Sequence, residues 1–279
     1  MFTHYLPLAI LAGLGTIGFN TFNRQTLQKG HDSTVYAWLF EIMRILIFLP
    51  FLLFDYQVIW SWASARAFLL MGFTELVSVY LFMKMHSHSD LSLSSIFTRL
   101  RIIWTPIVGF LILGEILSPL QYLGILVIFL GCSLIYFIHN NGSRRGLIYA
   151  LVFSLVNACS NVFVKQASVY ASSSMITILF SIPAALFIPV IMRNGRTRIS
   201  HNLVPVMRPL FAASLFNALT MFTLVTALHL APAGQVTGIS QGVATLSIFS
   251  GIFILGERDH KLIKFLAGLI TTTGIILLV

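Results

Sequence analysis

The sequence contains few charged residues. Only 9% of its 279 residues are charged, whereas 57% are hydrophobic. Soluble globular domains carry about 25% charged residues, so this chain lacks the polar side chains needed to cover a water-facing surface. The composition excludes an ordinary soluble protein and predicts an integral, multi-pass membrane protein, which we expect in the inner (plasma) membrane of a bacterium.

Cysteine and the usual catalytic motifs are scarce or missing. Cys132 and Cys159 are the only cysteines, and both lie inside apolar runs, which excludes a disulfide framework and a thiolate metal site. The chain has no phosphate-binding Gly-Lys-Ser/Thr loop and no His-Glu-x-x-His zinc motif. We therefore predict no catalytic residues, no metal and no cofactor.

Two features could suggest nucleic-acid binding or metal binding, but we assign each of them another role. The net charge of +9 is assigned to membrane loops, because the basic segments lack the interleaved aromatic residues that bind nucleic acid. The segment His86-Ser-His88-Ser-Asp90 alternates possible metal ligands. It is predicted to be a solvated turn between two helices, with a gate or pH-sensitive element as the alternative.

Long apolar runs dominate the chain and have the length of membrane-spanning helices. Strands are a poor interpretation, because the runs are too long and do not alternate apolar with polar residues. The prediction is an all-α integral membrane fold with ten transmembrane helices. The runs are 5–22, 34–54, 67–85, 91–113, 117–138, 146–164, 174–192, 210–228, 233–255 and 262–279.

The second half of the sequence repeats the first. At an offset of 142 residues, Gly109–Glu115 aligns with Gly251–Glu257, and Tyr80–Leu100 aligns with Phe222–Gly242 without a gap. One inserted residue then aligns two glycines of the first half with a small residue and a glycine of the second. These pairs are Gly124 with Ala267 and Gly131 with Gly274.

The repeat defines two five-helix units, residues 1–142 and 143–279. Because five is odd, the two units must cross the membrane in opposite senses. Inverted repeats of this kind are typical of secondary transporters, whose substrate site lies near the membrane midplane between the repeats. The Leu-Gly-Glu pattern at Glu115 and Glu257 recurs in both units, so we expect these two glutamates to have an architectural role.

Apart from Lys264, near the start of the last run, charged residues inside apolar runs occur in the first unit alone. Such groups are costly in hydrocarbon and usually face a cavity or a partner. Glu41 and Arg44 are three residues apart on one helix and can pair locally, either to fix packing or to serve function. Glu75 can bind a cation, pair with an arginine or carry a proton. Arg99 and Arg101 point about 200° apart, and Arg99 is predicted to line the cavity.

Uncharged polar residues in the apolar runs give a weaker signal. Asn217 occupies the position of Glu75 in the second unit. Hydrogen bonds between helices, about 0.6 kcal/mol each in membranes, are one interpretation of such residues, and substrate binding is the other. The substrate-binding prediction comprises Glu75, Arg99, Arg44, Asn20, Asn157, Asn161, Asn217 and Gln241.

Several short motifs resemble a known family. Leu91–Ser95, Pro106–Gly109, Leu113–Glu115, Gln121–Gly124 and Gly131 together resemble the EamA-type domain. Two such domains in tandem are similar to the ten-helix branch of the drug/metabolite transporter superfamily. The resemblance implies ten helices around a central cavity and the movement of small solutes.

These features predict a secondary transporter that exports a small polar or amphipathic metabolite, such as an amino acid or organic anion, by alternating access. A flippase-type carrier of a lipid-linked substrate is the alternative, followed by an integral-membrane lipid-modifying enzyme. Expected partners are the solute, membrane lipid and protons as coupling ion, without nucleic acid, in a monomer or homodimer. Loop charges favour chain termini outside the cell, whereas the resemblance implies termini inside.

Overall fold

The computed structural model describes residues 4–27, 31–88, 100–134, 144–245 and 261–278. Within these ranges the backbone is almost entirely helical, and extended pairing is limited to one isolated bridge between Val58 and Ala171. The predicted all-α class is confirmed.

The described ranges contain ten α-helices and one short 3₁₀ turn, Pro50–Leu53. The helices are α1 (Tyr5–Leu27), α2 (Ser33–Phe48), α3 (Trp62–His88), α4 (Arg101–Leu113), α5 (Pro119–Leu134), α6 (Arg144–Ser168), α7 (Ser173–Ile191), α8 (Gly195–Leu230), α9 (Ala233–Thr245) and α10 (Lys261–Leu278). Six of them, α1, α2, α3, α6, α7 and α8, are long and apolar enough to cross a membrane. The chain is therefore an integral multi-pass membrane protein, and ten crossings remain a prediction.

Local sequence signals explain where several helices begin and end. The Asp32 carboxylate accepts hydrogen bonds from the backbone of Thr34 and Val35 and so caps α2. Ser172 caps α7 in the same way. Gly114 ends α4 with φ of 68°, a left-handed conformation that glycine adopts without strain.

Two helices extend further than their apolar runs. Residues 193–208 lie between two apolar runs, but α8 begins at Gly195 and has 36 residues, about 54 Å of helix. Since a bilayer core is about 30 Å thick, its first turns extend beyond the hydrocarbon. The predicted turn at His86 and His88 is wrong, because α3 continues through His88; Asp90 lies outside the described residues.

Helix packing follows a paired pattern. In the predicted repeat, α1 to α5 correspond to α6 to α10. The contact of α1 with α8 corresponds to that of α6 with α3, and the contact of α1 with α9 to that of α6 with α4. Three further contacts each join a helix to its own counterpart in the other repeat: α2 with α7, α4 with α9 and α5 with α10. A two-fold axis relating two repeats would produce this pattern, so it supports the predicted repeat.

Glycines allow α5 and α10 to approach closely. A Cβ atom on Gly124 would lie 2.8 Å from the carbonyl oxygen of Gly274, and one on Gly274 would lie 2.8 Å from that of Gly124. One heptad further along α5, a Cβ on Gly131 would lie 3.0 Å from the carbonyl oxygen of Ala267. Small residues thus determine this interface, as in other membrane helix pairs.

Hydrogen bonds join several segments at the end of the bundle where α1 begins, here called the Tyr5 end. The Gln235 side-chain amide donates to the Tyr5 hydroxyl and to the Leu278 carbonyl, both at 2.5 Å. The α2–α3 connection joins the α6–α7 connection through the N–H of Ile59, which donates to the carbonyl of Tyr170 at 2.7 Å. The opposite end, where α2 begins, is the Asp32 end.

Candidate functional site

Two acids and one arginine meet inside the bundle. Nη2 of Arg44, on α2, donates to Oε2 of Glu41 one turn away and to Oε1 of Glu75 on α3, the latter at 2.9 Å. The exposed fractions are 0% for Glu41, 3% for Arg44 and 6% for Glu75. We call these three residues the acidic cluster.

Neighbouring side chains fix the orientation of the Arg44 guanidinium. Its Nε donates to the Ser181 hydroxyl at 2.6 Å, and Ser181 donates to the carbonyl of Thr177 at 2.9 Å. The Phe40 and Phe180 ring centroids lie 5.3 Å and 5.0 Å from Cζ of Arg44, within cation–π range. Residues of α2, α3 and α7 therefore hold one arginine in place.

The charge of the acidic cluster is unbalanced. With all three groups ionised, two carboxylates face one guanidinium, and the formal charge is −1. A buried charge without a counter-charge is strongly unfavourable, and in a membrane-spanning bundle water compensates it poorly. The cluster can therefore be neutralised by one proton or by one external cation.

A second charged residue, Arg101 of α4, is linked through Asn157 of α6 to α3, one helical turn from Glu75. Nη1 of Arg101, on α4, donates to Oδ1 of Asn157 on α6 at 2.6 Å, and Nδ2 of Asn157 donates to the Ser78 hydroxyl at 3.4 Å. Ser78 follows Glu75 by three residues, a rise of about 4.5 Å along α3. We call Arg101, Asn157 and Ser78 the Arg101 group.

The remaining predicted site residues lie in different environments. Asn161 on α6 makes a long hydrogen bond, 3.5 Å, to the Thr237 hydroxyl on α9. Asn217 on α8 is buried, and its Oδ1 has no hydrogen-bond partner among the described residues. The Asn161 bond is consistent with helix packing, whereas Asn217 has an acceptor available for water or a solute.

Two further predicted residues, Asn20 and Gln241, are not part of either charged group as the described residues form them. Asn20 is exposed on α1, and Gln241 is half-buried on α9. Arg99, the arginine predicted to line the cavity, lies outside the described residues. Arg101 hydrogen-bonds to Asn157 of α6 and is linked through it to Ser78 of α3.

Glu115 holds together several elements at the Tyr5 end. Its Oε2 accepts the N–H of Ala233, the first residue of α9, at 2.8 Å, and its carboxylate pairs with Lys165. Nζ of Lys165 also donates to the carbonyl of Ala231 at 2.5 Å. These bonds fit the predicted architectural role of Glu115; Glu257 lies outside the described residues. A pocket of about 290 Å³ adjoins this ion pair and includes Tyr170 and His229 in its lining.

The sequence did not indicate the residues that surround Arg44. Phe40 and Phe180 are ordinary members of apolar runs, and Ser181 is one of many serines. Ser181 lies 137 positions from Arg44 in the sequence. A contact over that separation depends on the packing of α2 against α7, which no local pattern reveals.

Comparison with known proteins identifies the first half of the chain. Residues 5–137 match the model of the EamA-like transporter family, and no curated protein matches the chain. A crystal structure described only as that of a protein superimposes with a TM-score of 0.73 at 10% sequence identity, covering 99% of this chain and 96% of the other. At that identity the likeness concerns the fold alone. Residues 5–137, which carry the acidic cluster and Arg101, are thus similar to the EamA-like transporter family, as the motifs predicted.

Proposed function

We propose that the protein is a secondary transporter that exports a small zwitterion, such as an amino acid, by alternating access. The observation that carries this proposal is that two groups of opposite charge are connected to α3 at positions one turn apart, Glu75 and Ser78. The acidic cluster has an excess of one carboxylate around Glu75, and the Arg101 group presents a guanidinium.

A zwitterionic solute matches both groups at once. Its ammonium would supply the positive charge that Glu41 and Glu75 lack, and its carboxylate would accept charge-assisted hydrogen bonds from Arg101. Asn217, whose buried Oδ1 has no partner in the described part of the chain, can hydrogen-bond a polar group of the solute. A solute with one charged end would interact with only one of the two groups.

The same imbalance provides a means of coupling to protons. When no solute is bound, one proton shared by Glu41 and Glu75 would neutralise the acidic cluster. The charged group facing these acids is Arg44 of α2, and α7 contributes Ser181 and Phe180, which do not titrate near neutral pH. Binding of the solute ammonium would release the proton, so export of solute would be exchanged for entry of a proton.

Alternating access requires that the two ends of the bundle open in turn. The paired helix contacts support two inverted five-helix repeats that rock about the midplane. At the Tyr5 end, the Gln235 and Glu115 bonds join α1, α6, α9 and α10 and would have to break for that end to open.

Solute-dependent thermal stabilisation of the purified protein tests this function, because a ligand that binds the folded state raises its apparent stability. The panel contains amino acids, organic anions, organic cations and nucleotide sugars. We expect an amino acid to raise the melting temperature, and expect that effect to disappear in Glu75→Gln and Arg101→Gln but to persist in Arg66→Gln, whose arginine is exposed at the Tyr5 end. Stabilisation by a lipid-linked substrate alone would favour a flippase instead.

A further inference from the structure

The first turns of α8 carry an exposed basic surface at the Asp32 end. Arg193 precedes the helix, and Arg196 and Arg208 lie on its outer side, all three exposed. At 100° per residue, Arg196 and Arg208 are about 120° apart, within one exposed half of the helix. No carboxylate among the described residues pairs with these arginines. We call the three residues the basic face.

The opposite side of the same turns fixes the segment to the bundle. Arg198 donates to both carboxylate oxygens of Asp32, from Nε at 2.5 Å and from Nη2 at 2.7 Å. The Asn202 side chain accepts the N–H of Asp32 at 3.1 Å, and Val206 is fully buried in the core cluster that includes α2. The basic face is thus presented by an anchored helix rather than by a loose loop.

The length of α8 puts the basic face at a membrane surface. Residues 210–230 are predominantly apolar and, at about 1.5 Å per residue, span about 31 Å, which fills the hydrocarbon core. Residues 195–209 therefore extend into the headgroup region at the Asp32 end. Val204, 81% exposed, lies between Arg196 and Arg208. Apolar and basic side chains together on an exposed helix face are typical of interfacial helices.

The corresponding connection of the first repeat has the opposite chemistry. The α2–α3 connection, residues 49–61, contains no lysine or arginine. Its surface is aromatic and aliphatic, with Leu53 83% and Phe54 90% exposed, and Trp62, which begins α3, is 93% exposed. Exposed tryptophans and other aromatics are typical of a neutral membrane interface. At the Tyr5 end, Arg66 in the first turns of α3 is the one exposed arginine of the corresponding described segment, so the basic surface is concentrated at the Asp32 end.

We propose that Arg193, Arg196 and Arg208 form a docking surface for the headgroups of anionic phospholipids in the leaflet at the Asp32 end. Exposed guanidinium groups next to a membrane-spanning helix attract anionic lipid, and each can bind a phosphate through two parallel hydrogen bonds. Because α8 is anchored to the bundle, its exposed arginines are held at fixed positions. The inference does not depend on the solute that is transported.

The test measures the melting temperature of the full-length protein in detergent during titration with phosphatidylglycerol or phosphatidylcholine. We expect phosphatidylglycerol to raise the melting temperature more than phosphatidylcholine does, and expect the difference to disappear in the triple variant R193Q/R196Q/R208Q. The charge-preserving triple variant R193K/R196K/R208K is expected to retain most of it. The control R66Q, at the Tyr5 end, is expected to retain all of it.

Three results would overturn the proposal. One is an equal response of the wild type to both lipids, and another is a preserved phosphatidylglycerol effect in the triple glutamine variant. The third is an equal rise with soluble glycerol phosphate, which would indicate a site for a small phosphate rather than a lipid surface. If the triple variant does not fold, the single variant R196Q must still show a reduced difference between the two lipids, and an unchanged difference there would also overturn it.

Discussion

Arg44 and Glu75 are 31 positions apart in the sequence, yet Nη2 of the arginine lies 2.9 Å from Oε1 of the glutamate inside the helix bundle. The pair joins α2 to α3. Because the same nitrogen also contacts Glu41, the arginine has two acidic partners, and one acid is in excess. This excess of negative charge is the basis of the proposed binding of a cationic group.

Neutralising Glu75 should separate function from stability. In Glu75→Gln, Arg44 retains Glu41 as its partner, so the buried charges balance and the melting temperature should stay at or above that of the wild type. Uptake of the solute into proteoliposomes should be lost, because the excess negative charge is gone. A variant that transports normally would exclude Glu75 from the site.

Removing Arg44 should have the reverse effect on stability. Arg44→Gln leaves two buried carboxylates without a counter-charge, and breaking a buried ion pair in this way costs about 3–5 kcal/mol. Thermal unfolding of Arg44→Gln and Glu75→Gln should therefore shift in different directions. Equal melting temperatures for the two variants would mean that the cluster is hydrated and not buried.

The close contact of α5 with α10 should not tolerate a methyl group. Gly124→Ala would place Cβ 2.8 Å from the Gly274 carbonyl oxygen, and overpacking of this kind costs about 1–3 kcal/mol. Gly195→Ala is the matched control, because its Cβ would meet Met192 at 3.5 Å, an ordinary contact. Thermal unfolding should show a loss for the first variant alone, and equal losses would contradict the interface.

The Asp32–Arg198 ion pair should make stability dependent on pH. Burial alone would raise the pKa of Asp32, but the Arg198 hydrogen bond and charge, together with the capping N–H groups, outweigh it and lower the pKa below the ordinary 3.8. The carboxylate is therefore more favourable in the folded state. Its stabilising contribution is complete above pH 3.8 and is lost as the pH falls through the lowered value.

Asp32→Asn measures this contribution, because asparagine remains a good helix cap. The pair is partly exposed, so we expect a loss of about 0.2–1 kcal/mol near neutral pH. The melting temperatures of the variant and the wild type should converge as the pH falls below the ordinary pKa. A difference that persists at acidic pH would mean that Asp32 acts through something other than its charge.

The bond between Glu115 and the α9 backbone should matter more than the charge of Glu115. Glu115→Gln retains an oxygen that can accept the N–H of Ala233, whereas Glu115→Ala leaves that N–H without its acceptor. Loss of a helix cap costs about 1 kcal/mol. Glu115→Ala should therefore unfold at a lower temperature than Glu115→Gln, and equal losses in both variants would assign the stability to the Lys165 ion pair instead.

The sequence was sufficient to predict the helical class and the buried charges. Long apolar runs and the rarity of charge leave few alternatives, and an acid such as Glu75 within a run stands out against its neighbours. The local pairing of Glu41 with Arg44 was also predictable, because a spacing of three residues places both side chains on one helix face.

The sequence was not sufficient to predict contacts between distant segments or a helix formed by polar residues. The second partner of Arg44 depends on the packing of α2 against α3. The first turns of α8 resemble a loop because they contain Arg196 and Arg198, yet they form a helix that extends past the hydrocarbon core. Polarity marks the membrane boundary there, not the end of the helix.

Counterflow in proteoliposomes tests the central claim most directly, with an amino acid compared against the amine that lacks its carboxylate and the acid that lacks its ammonium. The account predicts rapid exchange of the amino acid alone by the wild type, and its loss in both Glu75→Gln and Arg101→Gln, while Arg66→Gln remains active. Equal exchange of the amine, or normal exchange by either of the two site variants, would contradict recognition of a zwitterion by the acidic cluster and the Arg101 group.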